Sequence, residues 1–171
     1  MFDIDKWCIV ERGFNPEQNE IAESVCSIGN GHMGQRANFE EHYSGKSLQG
    51  NYIGGVFFPD KTRVGWWKNG YPDYFAKVLN APTWIHINIS VNGEEVDLAK
   101  AEVLDFTRTL DMQHGVLMRS FHVRLRNGVE LKVKSKRFVS IVDTEIGAIQ
   151  YSITPCNKDV EIAVSSCINS D

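Results

Sequence analysis

From Thr83 onward apolar residues recur at every second position, and the runs are punctuated by two Asn-Gly pairs. Ile85, Ile87, Ile89 and Val91 alternate with His86, Asn88 and Ser90, which gives an extended chain one buried and one wetter face. Asn92-Gly93 supplies two residues that tolerate positive φ, as a type I′ hairpin turn requires, and Val96 and Leu98 continue beyond it. Leu104, Phe106, Arg108 and Leu110 are expected to share the next face, before Asp111 to Gly115 turns the chain. Phe121, Val123 and Leu125 alternate with His122, Arg124 and Arg126 as far as Asn127-Gly128, and Val129, Leu131 and Val133 return against Lys132, Lys134 and Lys136. Ile149, Tyr151 and Ile153, then Val160, Ile162 and Val164, predict two more strands separated by Pro155 to Asp159. Short, regularly spaced strands without a useful 3.6-residue stripe specify an all-β fold, an antiparallel β-sandwich.

The first half is less regular. Trp7 to Arg12 reads as a short apolar run ending at Gly13, and Phe14 to Glu20, with Asn15, Pro16 and Asn19, reads as a loop. The glycine-rich stretch Glu23 to Gly55 follows, and glycine concentrates where backbone needs positive φ or close approach. Ser24 to Ile28 reads as a strand, and Gly29 to Gly34 spells G-x-G-x-x-G. A dinucleotide site would need a helix next and an acidic residue about 20 positions on. Gln35 to Gly45 has no apolar stripe, and the acidic position falls among Gln49, Gly50 and Asn51, so the nucleotide reading fails. Tyr52 to Phe58 is a further strand candidate, stopped by Pro59-Asp60, and Lys61 to Pro82 mixes aromatics with turn residues.

A formal net charge of −4 gives no reason to expect nucleic acid or an anionic membrane as partner. No apolar stretch approaches the roughly 20 residues that span a bilayer, and the acidic start MFDIDKWCIVERG lacks the features of a signal peptide. A cytoplasmic location is expected. Cys8, Cys26, Cys156 and Cys167 form no C-x-x-C pair and are expected to be buried structural thiols. No metal site is expected: His32 and His42 would need a third ligand that the sequence does not supply. Neighbouring strand residues point to opposite faces, so Glu40-Glu41 and Glu94-Glu95 are poor catalytic pairs, and Asp111 is expected to brace its turn. No serine stands in a G-x-S-x-G elbow.

Two blocks carry a more specific signal. ESVCSIGNGHMGQRANFEE followed by GNYIGGVFF, and further on APTWIHINISVNGEEVDLAKAEVLDFTRTLDMQHGVLMRSF, resemble the N-terminal domain of family-65 glycoside hydrolases and phosphorylases, the maltose, kojibiose and trehalose phosphorylase group. The match to Asn-Gly-x-x-Gly-x-Arg runs through Asn30, Gly31, Gly34 and Arg36, with Ala37 where the family usually has glycine. The resemblance implies a β-sandwich of the galactose-mutarotase-like, super-sandwich type, with residues 1–171 a partial N-terminal domain, and an expectation that closing strands are missing. It further implies inverting, phosphate-dependent cleavage of an α-glucosidic disaccharide, with inorganic phosphate as co-substrate and no cofactor. The acid glutamate and phosphate site of that chemistry belong to an (α/α)6-barrel catalytic domain absent from this chain, so the chain alone should be inactive. Its expected partners are that catalytic domain and a second copy in a homodimer.

Two groups of residues are the candidates for contact with substrate or with a neighbouring domain. Trp66, Trp67, Tyr71 and Tyr74 have the composition of a sugar platform, because pyranose rings present apolar C–H faces to aromatic planes. The same composition suits an interface core, which is the favoured reading. Asn30, His32, Arg36 and Asn38 form the second group, with bracing of the sandwich favoured over substrate contact. A free-standing carbohydrate-binding module is the alternative to the accessory-domain reading.

Overall fold

The computed structural model describes residues 2–63 and 70–170. Among them the elements are, in order, β1 (Phe2–Ile4), β2 (Cys8–Arg12), a 3-10 turn (Pro16–Gln18), α1 (Asn19–Val25), β3 (Ile28–Gly29), β4 (Met33–Gln35), β5 (Asn51–Ile53), β6 (Phe57–Lys61), β7 (Tyr74–Val78), β8 (Thr83–Val91), β9 (Glu94–Glu95), β10 (Glu102–Asp111), β11 (Val116–Arg124), β12 (Glu130–Val139), β13 (Gly147–Pro155) and β14 (Ile162–Asn169).

One antiparallel sheet dominates, ordered β1-β2-β10-β11-β12-β13. Its outer face carries the exposed Lys132, Lys134 and Lys136, as the alternation predicts. The inner face is covered by the sheet β14-β8-β9, by the small sheet β3-β4-β5 and by the irregular segment between β4 and β5. Phe106, Phe121, Val133 and Ile153 form one directly opposed row on that face and pack with Ile89 and Val91 of β8, which makes the two layers of an all-β sandwich. Leu110, Leu117 and Val139 pack with Cys26, Ile28 and Ala37 in a second apolar cluster.

The turns follow the sequence in detail. Asn92 and Gly93 both have positive φ, 51° and 81°, and join β8 to β9 through a two-residue loop. The second Asn-Gly behaves differently. Gly128 N donates to the Leu125 carbonyl and Leu125 N to that of Val129, a three-residue loop in which Gly128 alone takes positive φ.

Several expectations are corrected. Ser24 and Val25 are helical, not the start of a strand: Asn15 caps Glu17 N, Pro16 opens the 3-10 turn, and Ala22 and Cys26 bury one face of the short α1. Two turns are too short to display a hydrophobic period. The expected Tyr52–Phe58 strand is two strands, β5 and β6, because Gly55 takes φ 87° between them, and Pro59 lies inside β6 rather than ending it. Leu104 is exposed, not on the Phe106 face. It is the extra residue of a β-bulge between Val103 and Asp105, and such a bulge reverses the side-chain parity on one side of it. Cys26 is buried, but Cys156 and Cys167 are exposed. Strands β13 and β14 are both present but belong to different sheets, and Val164 and Ile168 on the edge strand β14 are exposed.

Candidate functional site

A belt of buried charge crosses the inner face between the two apolar clusters. Glu11, Arg108, Arg119, Ser135 and Tyr151 are successive cross-strand partners on β2, β10, β11, β12 and β13, and Arg137 stands one step further along β12. Arg108 and Arg137 are fully buried and Arg119 nearly so. Two like charges directly opposite repel, so the row is tenable only with counter-charges supplied from the facing layer. The irregular segment supplies them. Arg119 Nη2 donates to Glu40 Oε2 at 2.5 Å and to Glu41 Oε2 at 2.6 Å, while Arg137 Nη1 lies 3.1 Å from Glu40 Oε1. Tyr151 Oη donates to Glu41 Oε1. Arg108 Nη2 donates to Asn19 Oδ1 at 2.8 Å and its Nε lies 3.3 Å from Glu11 Oε2. The Phe39 ring has the Arg108 and Arg119 guanidinium carbons 5.0 and 4.6 Å from its centroid, a cation–π contact to both.

The belt fastens the glycine-rich stretch to the sheet. Arg137 Nη2 also donates to the Arg36 and Asn38 carbonyls, and Glu23 accepts from Asn19, from Ser47 Oγ and from Leu48 N. Glu40 and Glu41 were expected on opposite faces, yet both carboxylates meet one arginine. Residues 40 and 41 lie in a bend rather than a strand, so strand alternation does not apply. Burial alone would raise the Glu40 carboxyl, but Arg119 and Arg137 outweigh it and hold Glu40 below the usual carboxylate range. Burial pushes Glu41 up despite Arg119, and the neighbouring Glu40 adds to the rise. Two carboxylates sharing one arginine titrate as a pair, one low and one high.

The expected site residues are distributed as follows. Asn30 Oδ1 accepts from His32 N and Met33 N, and its amide donates to the Ser140 and Thr144 carbonyls. His32 is half-buried, and its carbonyl accepts from Gly54 N. Arg36 donates to the Glu20 carbonyl and to Ser24 Oγ at the end of α1, and Asn38 bonds Ser47, the Leu48 carbonyl and Gly50 N. A Cβ at Gly50 would lie 2.2 Å from Arg36 Cδ, so a side chain there would push Arg36 away from its partners on α1. These polar groups therefore hold the segment's own shape and, through Asn30, tie it to residues 140 and 144. Tyr71 and Tyr74 are exposed, and Trp66 and Trp67 lie outside the described residues. The hairpin β6–β7 that leads to them exposes Phe57, Phe58, Tyr74, Phe75 and Val78, an apolar arm on both of its faces.

The belt was missed in the sequence, although a signal was present. Arg108, Arg119 and Arg137 each occupy the apolar phase of an alternating strand, between Phe106 and Leu110, Leu117 and Phe121, Ser135 and Val139. An arginine in a buried register demands a partner.

The profile of the glycosyl hydrolase family 65 N-terminal domain matches residues 9–171. The chain belongs to this family. Over 164 residues it is 46% identical to the maltose phosphorylase of Bacillus subtilis, covering 96% of this chain and 22% of that protein. It is 32% identical over 165 residues to the kojibiose phosphorylase of Thermoanaerobacter brockii, with 96% and 20% covered, and 33% identical over 178 residues to the α,α-trehalose phosphorylase of the same organism, with 100% and 22% covered. Among solved structures, a putative kojibiose phosphorylase from the human microbiome superposes with a TM-score of 0.79 at 30% identity, over 90% of this chain and 20% of that one. The chain thus spans about a fifth of these relatives' length. As a family-65 N-terminal domain it has the expected all-β sandwich, and no helix among the described residues is long and apolar enough to cross a membrane.

Proposed function

We propose that this chain is the accessory sandwich of a disaccharide phosphorylase that cleaves an α-glucosidic disaccharide of the maltose, kojibiose or trehalose type with inorganic phosphate. The observation that carries this is the identity to maltose phosphorylase across nearly the whole chain, which makes maltose the first substrate to test. Phosphate attacks the anomeric carbon from the face opposite the departing oxygen, so an α-glucoside yields β-glucose 1-phosphate. The groups for that chemistry come from a catalytic domain outside this chain. The buried carboxylates Glu23, Glu40 and Glu41 are bound by Asn19 and Ser47, by arginine, and by arginine and tyrosine, respectively, and are spent on structure.

The part played by the sandwich is to hold the β6–β7 arm against the catalytic domain or a second subunit of a homodimer. A two-stranded hairpin is marginal by itself, and one with apolar side chains exposed on both faces gains stability when covered. The four cysteines, all free, accord with a cytoplasmic location.

In the test, the native protein and the 171-residue chain are each given maltose with and without phosphate. Phosphate-dependent release of β-glucose 1-phosphate by the native protein alone is expected, and Phe57→Ser with Phe75→Ser should lower it at least about tenfold. Phosphate-independent release of glucose, or turnover by the 171-residue chain, would overturn the proposal. Sugar binding by this chain through Tyr71 and Tyr74, with no turnover by the native protein, would favour a binding module instead.

A further inference from the structure

A cavity of about 310 Å³ lies between β8, the end of β14 and the segment after Glu41, apart from the β6–β7 arm. This is at the small end of the roughly 300–1,000 Å³ that small-molecule sites occupy. Gln49, Asn80, His86 and Asn88 line it with neutral polar groups, and Phe39 and Tyr43 add ring surface. Among the described residues its lining includes no lysine or arginine and a single carboxylate, Glu41, which is taken by Arg119 and Tyr151. An anion would find no counter-charge here, and a cation would find only a carboxylate already neutralised.

Two residues of this lining each carry a buried oxygen without a hydrogen-bond partner among the described residues, Tyr43 Oη and Asn88 Oδ1. Buried polar atoms are normally paired, so both side chains have hydrogen-bonding capacity left for a ligand that brings hydroxyls once they turn towards it. His86 and Asn88 project from the same face of β8, two residues apart. Burial lowers the His86 imidazole, the Glu40 carbonyl opposes this, and His42 adds to the lowering. One nitrogen of the neutral ring is turned to the Glu40 carbonyl, which leaves the other as an acceptor for a ligand.

We propose that this cavity is a non-catalytic binding site for a neutral polyhydroxylated ligand of monosaccharide size. Amide, phenol and imidazole pair with its hydroxyls, and the rings of Phe39 and Tyr43 meet its C–H face. Such a site goes beyond the accessory role, since it takes sugar without chemistry.

Cys167 lines the cavity and is exposed, whereas Cys156 is exposed outside it. Site-resolved alkylation by iodoacetamide, read by mass spectrometry on the native protein, therefore contains its own reference. Millimolar glucose or maltose should slow Cys167 and leave Cys156 unchanged. Asn88→Ala should raise the half-protecting concentration at least about tenfold. Gln49→Ala, at an exposed side chain, should raise it less and decides the matter should Asn88→Ala fail to fold. The KM for phosphorolysis should be unchanged in both variants. Equal slowing of both cysteines, protection by inorganic phosphate instead of sugar, protection undiminished in the folded variants, or a Cys167 that never reacts would each overturn the proposal. Protection without phosphorolysis would sink the enzymatic reading and leave this one standing, while phosphorolysis without protection would do the reverse.

Discussion

Replacing Arg119 by methionine, which keeps much of the side chain's length and removes its charge, tests the buried belt directly. Glu41 would keep the Tyr151 hydroxyl and its own backbone N–H, and Glu40 would keep Arg137 and its own backbone N–H. Removing one partner of a buried ion pair typically costs about 3–5 kcal/mol, because the charge left behind is neither solvated nor paired. Here one arginine serves two carboxylates, so the upper half of that range is expected. A single domain commonly has about 5–15 kcal/mol in total, so the variant should be folded but weak. With a urea m-value of roughly 2 kcal/mol/M, a loss of about 4 kcal/mol moves the midpoint by about 2 M.

The pH dependence gives the sign. In the native chain Glu40 is held below its unfolded value, so its stabilisation is present above the ordinary carboxylate range and fades as pH falls through the lowered value. In Arg119→Met both carboxyls should be raised, so the folded state binds more protons than the unfolded chain at mildly acid pH. Its stability then falls as pH rises, by up to about 1.4 kcal/mol per pH unit for each proton retained. The gap between native and variant should therefore be narrower at pH 5 than at pH 7.5, and Glu41→Gln added to Arg119→Met should recover part of the loss. Urea titrations at the two pH values measure this. A loss below about 1 kcal/mol, or a gap that ignores pH, would mean that the belt is hydrated and that its charges are not confined.

Asn30→Ala removes a side chain that makes four hydrogen bonds, two within the β3–β4 turn and two to the carbonyls of residues 140 and 144, and should cost about 2 kcal/mol in the same titration while leaving the β-sheet circular dichroism intact. Asp97 accepts from Ser44 N and Ala99 N and pairs with Lys100 at 2.9 Å, and although burial would raise it, these partners lower it to about 2. Its contribution is present above the ordinary aspartate value and disappears as pH falls towards about 2, so Asp97→Asn should flatten the acid limb of the stability curve between about pH 4 and 2. An unchanged acid limb would assign that loss to other carboxylates.

The strands from Thr83 to Val139 were legible because each buries one face. A half-buried strand must alternate, and a two-residue loop must tolerate positive φ, which Asn92-Gly93 does. Where the alternation slipped, at Leu104, the cause was a single inserted residue that no local preference announces. The helix Asn19–Val25 escaped notice because two turns give too few residues for a period. The resemblance carried by Asn30 to Arg36 located the family, yet it said nothing of what those side chains do, and the structure spends them on their own turn, on residues 140 and 144 and on α1.

Period, turn chemistry and the recurring blocks were properties of neighbours along the chain, and the sequence alone therefore determined the all-β class and the family. The meeting of Glu40 and Glu41 with Arg119, and of Tyr43 with Asn88 around one cavity, joins residues 79, 78 and 45 positions apart. Only the tertiary structure decided these, because a buried charge or an orphaned polar atom is defined by what packs against it, and packing partners distant in sequence leave no periodic trace.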